Sequence, residues 1–80
     1  YTGKNVVNDG TLTVNGKIIS KVSIKTKGTL SSDGGYIDND VVNEGGTFIN
    51  NGKGTTITGN YTVDTNSVTK VILWLFSVIS

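Results

Sequence analysis

The sequence predicts an all-β solenoid, in which the chain winds into successive coils that stack on one another. The tripeptide Gly-Thr-apolar occurs three times at one constant spacing, at positions 10–12, 28–30 and 46–48. The chain contains 12 Thr and 10 Val but no Ala, Arg or Gln, and β-branched residues favour strands over helices. The 11 Gly and 9 Asn supply turns between short strands.

The repeat divides the chain into about four coils of about 18 residues, a period typical of solenoids. We expect the coils to span residues 6–23, 24–41, 42–59 and the chain from residue 60 onward. In each of the first three, an apolar residue opens the coil, Gly-Thr-apolar follows, and a second glycine closes a short strand, namely Gly16, Gly34 and Gly52. Residues 6–16 and 41–52 are near copies, and the second copy carries one extra glycine, which indicates slack in a turn.

Alternation with period two predicts which side chains face the interior of each coil. In residues 11–14, Leu12 and Val14 share one face and the two threonines share the other. Across coils we expect three inward columns, formed by Leu12, Leu30 and Phe48, by Val6, Ile24 and Val42, and by Ile19, Ile37 and Leu73, with Thr55 interrupting the third. Three columns predict about three short strands per coil, each pairing in parallel with its neighbour in the next coil.

Threonines recur on the opposite face of the same strands. The constant spacing of the repeat predicts an outward column of Thr11, Thr29, Thr47 and Thr65. Two positions further on stand Thr13, Ser31, Ile49 and Ser67. A flat Thr-x-Thr ladder resembles the ice-binding face of solenoid antifreeze proteins. The alternative is that threonine simply suits the outward face of a strand.

The end of the chain departs from the repeat. Residues 71–79 contain eight apolar residues in nine, which is too short a run to cross a bilayer, since a spanning helix needs about 20. We expect residues 1–70 to be a β-helix segment of a longer array, and residues 71–80 to form an apolar terminal strand or a cap over the last coil. An irregular end and a membrane contact are the alternatives.

Composition excludes several classes of function. The net charge is +1, with seven Lys against six acidic residues, so electrostatics give no reason to expect binding to nucleic acid or to an anionic membrane. Without Cys or His, the chain can form no disulfide, no Cys/His zinc site and no Ser-His-Asp or Cys-His catalytic group. We therefore expect no enzyme activity, no catalytic residue and no cofactor.

The acidic residues are the only candidates for metal ligands. Asp33, Asp38, Asp40 and Glu44 offer oxygen ligands of the kind that calcium prefers. The run Gly-Gly-x-x-Asp around them partly matches the calcium-binding nonapeptide repeat, but the middle glycine of that repeat is missing. We therefore expect polar turns between coils and no metal, with these four residues as the calcium candidates.

Residues 34–48 read Gly-Gly-Tyr-Ile-Asp-Asn-Asp-Val-Val-Asn-Glu-Gly-Gly-Thr-Phe. This run resembles the Gly-Gly-x-Ile-x-Gly-x-Val-x-Asn-x-Gly-Thr rhythm of autotransporter and related adhesin passenger domains. Residues 55–62 are similar to a Gly-Thr-Leu-Thr-Ile-x-Gly-Asn-Tyr-Thr segment near the end of those passengers. The resemblance covers about residues 6–73. It implies a right-handed parallel β-helix, secreted through the outer membrane and displayed on the surface of a Gram-negative cell.

The expected function is that of a structural or adhesive segment in a surface-displayed or secreted passenger. It would extend a rod and present the turns at residues 31–39 and 50–53 to a host-cell surface or a glycan, with its own neighbouring coils as structural partners. A glycan-binding β-solenoid, such as a phage tail-fibre segment, is the alternative, with Tyr36, Tyr61 and Trp74 as aromatic residues that could stack on sugars. An ice-binding solenoid is the third hypothesis.

Overall fold

The computed structural model describes residues 1–25 and 27–72, and all of the regular structure in these ranges is β-strand. Eleven short strands follow one another along the chain. They are β1 (Val6–Asn8), β2 (Thr11–Val14), β3 (Lys17–Ile18), β4 (Val22–Ile24), β5 (Thr29–Ser32), β6 (Gly35–Ile37), β7 (Val41–Asn43), β8 (Thr47–Asn51), β9 (Thr55–Ile57), β10 (Tyr61–Val63) and β11 (Val68–Ile72). Within the described ranges there is no helix long and apolar enough to cross a membrane.

The strands form a parallel β-solenoid of about three turns. The first sheet has the strand order β1-β4-β7-β10, the second β2-β5-β8-β11 and the third β3-β6-β9, and every pairing is parallel. We call β1–β3 coil 1, β4–β6 coil 2, β7–β9 coil 3, and β10 with β11 coil 4. The all-β prediction and the expectation of about three strands per coil are confirmed.

The second sheet keeps the repeat that the sequence shows. Leu12 pairs with Leu30, and Leu30 with Phe48, so the first predicted column is confirmed. Leu30 and Phe48 are buried, whereas Leu12, in coil 1, is half-buried. Thr69 continues the column into coil 4. The constant spacing of Gly-Thr-apolar is therefore a property of this sheet.

The first sheet stacks differently from the prediction. Val6 pairs with Val22, which pairs with Val41, so Ile24 and Val42 do not share its column. The connection from β4 to β5 is longer than that from β1 to β2. The sequence spacing between paired residues in the first sheet therefore differs from that in the second sheet. The column of Val6, Ile24 and Val42 was therefore wrong, and Val42 stands outside the core cluster.

The third column also needed correction. Ile18 pairs with Ile37, and Ile37 pairs with Ile57. Ile19, which was expected in this column, is 41% exposed, and Thr55 stands two positions before the true member of coil 3. The steps in this column are longer than those in the second sheet, because the interval between the inward residues of the second and third sheets lengthens from coil to coil. Leu73 lies outside the described residues.

We call the connection from the first sheet to the second the first corner of a coil, the connection from the second sheet to the third the second corner, and the connection from the third sheet to the next coil the third corner. Two buried asparagines close the first corner of coils 1 and 3. The Oδ1 of Asn8 accepts from the Gly10 N–H at 3.2 Å, and its Nδ2 donates to the Thr29 carbonyl in coil 2 at 2.9 Å. The Oδ1 of Asn43 likewise accepts from the Gly46 N–H at 2.8 Å. Asn43 thus binds a buried backbone N–H that would otherwise be unpaired, whereas the backbone groups that Asn8 binds are part-buried. The near-copy segments at residues 6–16 and 41–52 carry these asparagines, and that similarity was the signal for them.

An aromatic pair fills the interior between coils 3 and 4. The rings of Phe48 and Tyr61 meet edge to face, with centroids 5.1 Å apart and planes at 72°. The Tyr61 hydroxyl lies 2.6 Å from the Thr69 Oγ1 and accepts from the Asn43 Nδ2 at 3.2 Å. Of the terminal segment predicted at residues 71–80, the first two residues end β11, and residues 73–80 lie outside the described ranges.

Candidate contact surface

The outward face of the second sheet carries an aligned column of threonines. Thr11 pairs with Thr29, and Thr29 with Thr47, as predicted. The fourth member is Val68, because the turn between β10 and β11 displaces Thr65 from the ladder. Thr65 was therefore a wrong member of the column. The neighbouring column also changes chemistry, from Thr13 and Ser31 to Ile49 and Lys70, so the hydroxyl face is two columns wide only in coils 1 and 2.

The two segments predicted as contact turns, residues 31–39 and 50–53, are turns only in part, because residues 31–32, 35–37 and 50–51 belong to strands. The turns themselves lie against each other: Asp33 and Gly34 connect β5 to β6 in coil 2, and residues 52–54 connect β8 to β9 in coil 3. The Lys53 N–H donates to the Asp33 Oδ1 at 3.0 Å, and the Gly34 N–H donates to the Gly54 carbonyl at 2.8 Å. We call residues 33–34 and 52–54 the turn pair. These hydrogen bonds fix the two turns relative to each other, although the side chains of Asp33 and Lys53 remain exposed.

The backbone of the turn pair depends on glycine. Gly34 has a φ of 75°, Gly52 of 49° and Gly54 of 78°, which lie in the left-handed region that other residues adopt only with strain. Left-handed residues reverse the chain within a short turn, as the corners between sheets require. The glycine-rich composition of residues 52–54 thus follows from the geometry of this corner.

This second corner lengthens from coil to coil. Between the last inward residue of the second sheet and the isoleucine of the third, the interval is four positions in coil 1 (Val14 to Ile18) and seven in coil 3 (Asn50 to Ile57). The third corner keeps a constant interval of four positions, as from Ile57 to Tyr61. The sheets stay in register, and the additional positions are shared between longer strands and the turn pair. β6 and β9 each begin one position earlier than β3 relative to the inward isoleucine, β8 ends one position later than β5, and the turn in coil 3 has three residues instead of two.

The four calcium candidates are dispersed over the corners. Asp33 accepts from Lys53 in the turn pair, and Glu44 pairs with the Lys25 Nζ at 2.9 Å on the first corner. At the third corner, Asp38 accepts from the Thr58 Oγ1 and Asp40 from the Asn60 N–H, each at 2.8 Å. Among the residues that the structure describes, no three His, Cys, Asp or Glu side chains form a group able to hold a metal ion. Each candidate instead connects adjacent coils.

Asp64 occupies the first corner of coil 4. The Ser67 Oγ donates to its carboxylate at 2.7 Å, and this hydrogen bond is the main cause that lowers the pKa of Asp64. Partial desolvation opposes the effect, and backbone N–H groups, including that of Asn66, reinforce it. Val63 holds the column of the buried asparagines in coil 4, and Asp64 follows it. The Asp64 carboxylate accepts from the Asn66 N–H, two residues on, as the Asn8 Oδ1 accepts from the Gly10 N–H in coil 1.

Of the aromatic residues predicted as sugar-binding candidates, Tyr36 faces outward. It stands on the third sheet with 39% of its surface exposed, and the Lys17 Nζ lies 5.3 Å from the centre of its ring. This cation–π contact joins coils 1 and 2. The Gly-Thr-apolar repeat does not predict it, because Lys17 and Tyr36 are farther apart in sequence than successive repeats are and pair only in the third sheet. Tyr61 packs inward on Phe48, and Trp74 lies outside the described residues.

The described residues enclose no pocket. The surfaces that can make contacts in this part of the chain are therefore the outward sheet faces, the open sheet edges and the corners, which include the turn pair. Comparison of the chain with protein-family models, with curated proteins and with solved structures finds no match.

Proposed function

We propose that this chain is a structural, adhesive segment of a β-solenoid displayed on or secreted from a Gram-negative bacterial cell, and that the turn pair makes the adhesive contact. The observation that carries the proposal is the turn pair itself, in which two glycine-containing turns of adjacent coils bind each other at an exposed corner. The sheets beneath keep their parallel register. Loops held on a rigid scaffold are the usual location of binding residues.

The stacked sheets are suited to a rod. Buried side chains from successive coils form continuous columns, as in Ile18, Ile37 and Ile57, so each coil is stabilised by its neighbours. Such a stack grows by adding coils without changing the coils already present. The sequence resemblance to adhesin passengers points to the same role.

The chemistry of the turn pair indicates a polar partner. Asp33 and Lys53 carry opposite charges on the two turns, and both side chains are exposed. A carboxylate that accepts and an ammonium group that donates hydrogen bonds suit the hydroxyl groups of cell-surface glycans and glycoproteins. The partner class that we propose is therefore a host-cell surface rich in carbohydrate.

Adhesion of coated beads tests this proposal. Beads carrying the chain are expected to bind cultured epithelial cells more strongly than albumin-coated beads do. Lys53→Ala removes one exposed cation from the turn pair and should reduce binding, whereas Lys4→Ala removes an exposed cation elsewhere and should leave it unchanged. Equal adhesion of coated and albumin beads would refute the adhesive role, and equal loss in the two variants would refute the assignment to the turn pair.

A second candidate, glycan binding by the third sheet, is supported by Tyr36. An exposed aromatic ring beside an ammonium group and near Asp38 offers a stacking surface and a hydrogen-bond acceptor for a pyranose. Binding to a glycan array that is lost in Tyr36→Ala but retained in Lys53→Ala would favour this face over the turn pair.

A further inference from the structure

Coil 1 has an open edge along β1 and β2. Among the described residues, β1 pairs only with β4, and β2 only with β5. The Val6 N–H and the Asn8 carbonyl both bond to coil 2, so the backbone groups of Val7 between them point the other way. We call this outward side of β1 and β2 the lower edge. Unpaired backbone groups on such an edge are a template for another strand.

Two glycines of coil 2 show what a neighbouring coil requires. A Cβ on Gly28 would overlap the Asn8 carbonyl oxygen of coil 1. A Cβ on Gly35 would overlap the Ser32 Oγ of the same coil and would also lie 2.9 Å from the Val14 Cγ1 and 3.1 Å from the Val14 carbonyl oxygen in coil 1. Neither glycine has a positive φ. At Gly28 the backbone of the coil on the lower side passes too close for a side chain, and at Gly35 that coil and Ser32 together leave no room for one.

Gly10 and Gly16 hold the corresponding positions in coil 1, as the register of the second and third sheets shows. A Cβ at either glycine would meet nothing within 4 Å, and neither has a positive φ. Nothing within the described residues therefore requires glycine at these two corners. A coil stacked on the lower edge would leave no room for side chains at Gly10 and Gly16, just as coil 1 restricts the space at the corresponding glycines of coil 2.

We propose that the lower edge docks a parallel β-coil, and that this coil is coil 4 of a second copy of the chain. This inference is independent of the adhesive role. The close approach implied by Gly10 and Gly16 selects a parallel coil of the same shape over a loop or a helix. Thr2 already lies beside the third sheet through its bridge to Ile19, so the part of coil 1 left open is two strands wide.

Coil 4 offers a complementary edge of the same width. Its strands β10 and β11 pair on one side, with β7 and β8, in the described part of the chain. Val63 and Val71 hold inward columns but are 52% and 58% exposed. We call this side of coil 4 the upper edge. Stacked on the lower edge of another copy, Val63 would continue the Asn8 column and Val71 the Val14 column, with their apolar surfaces buried.

A contact between two different edges does not close on itself. Each copy that docks by its upper edge leaves its own lower edge open, so copies add head to tail into a linear rod. The rod would keep parallel pairing and continuous inward columns across each junction. The chain should therefore populate dimers and longer species in proportions that rise with concentration.

Sedimentation velocity of the 80-residue chain over a range of concentrations tests this inference. The parent chain is expected to sediment as a concentration-dependent series from monomer upward. The double variant Gly10→Val with Gly16→Val should remain monomeric and keep its strand content by far-UV circular dichroism, since both side chains enter open space in the monomer. Asn15→Val, which adds a similar side chain at an exposed position between the two glycines, should associate as the parent does.

A mixing experiment separates head-to-tail docking from other association. Val63→Lys with Val71→Lys places charge on the upper edge and should also give a folded monomer. The glycine variant retains a competent upper edge, and the valine variant retains a competent lower edge. An equimolar mixture should therefore form a 1:1 dimer that grows no further.

Three results would overturn the proposal. A parent chain that stays monomeric at high micromolar concentration shows that the edges do not dock. Association of the glycine variant at the parent level shows that the lower edge is not the surface used. A mixture of the two folded variants that stays monomeric shows that the upper and lower edges do not meet.

Discussion

Truncating Phe48 tests how much of the stability resides in the stacked interior. Phe48 is 2% exposed, pairs with Leu30 in the coil on one side, and meets the ring of Tyr61 on the other. Replacing a buried phenylalanine with alanine costs about 3–5 kcal/mol, because the transfer free energy is lost and a cavity remains. A domain of 80 residues has a free energy of unfolding of about 4–12 kcal/mol, so Phe48→Ala should remove about a quarter of it or more.

Phe48→Leu provides a graded comparison. Leucine fits this column, because Leu12 and Leu30 occupy it in coils 1 and 2. The variant loses the edge-to-face contact with Tyr61, worth about 0.5–1.5 kcal/mol, together with part of the filled volume. We expect a total cost of about 1–2 kcal/mol, which for a domain of this size lowers Tm by roughly 4–16 °C.

Urea and thermal denaturation, followed by far-UV circular dichroism at one low concentration, measure these differences, because self-association would otherwise add to the apparent stability. Thr62→Ala, at an exposed position in β10, serves as the control and should change the free energy of unfolding by less than about 0.5 kcal/mol. If Phe48→Ala cost less than about 1 kcal/mol, the stacked interior would not be the main source of stability, and the reasoning would fail.

Three further perturbations address the corners. Gly28→Ala should destabilise the fold by about 1–3 kcal/mol through overlap with coil 1, whereas Gly10→Ala should leave the stability of the monomer unchanged; similar melting curves for the two would contradict the stacking argument. Asn43→Ala removes the acceptor for a buried N–H and should cost about 1–3 kcal/mol in urea denaturation, and a neutral result would mean that water replaces the amide. Ser67→Ala removes the main hydrogen bond that lowers the pKa of Asp64, so that pKa should rise in an NMR titration. Because the folded-state pKa is depressed, the contribution of Asp64 to stability is present above its unfolded-state pKa and is lost as pH falls through the folded value; an unchanged titration in the variant would contradict the assigned cause.

The columns of the second sheet could be predicted because one constant sequence spacing separates their members in coils 1 to 3. Its inward and outward columns both follow the spacing of the Gly-Thr-apolar repeat through coils 1 to 3. The first sheet could not, because Val22 and Ile24 lie two positions apart and both face the interior. Period-two alternation assigns them to the same face and does not say which of them stacks on Val6. The lengths of the first and second corners of coil 1 decide it, and the lengths of these two corners vary between coils.

The buried asparagines show a second limit. Asn8 and Asn43 are polar, so composition alone places them outside, but each satisfies a backbone group at a corner. Ile24 fills the same column in coil 2, so the position accepts an apolar residue as well. For the contact surface, the sequence predicted both turns, but their hydrogen bonds depend on the register of coils 2 and 3.

The constant third corner has a consequence for engineering. Since it fixes the start of each new coil four positions after the third sheet, additional residues at the second corner do not propagate into the coil that follows. The solenoid therefore behaves as a carrier for peptide grafts. A foreign sequence inserted at Lys53 would be displayed beside coil 3 while coil 4 kept its place, and several coils could each carry a different graft along one line.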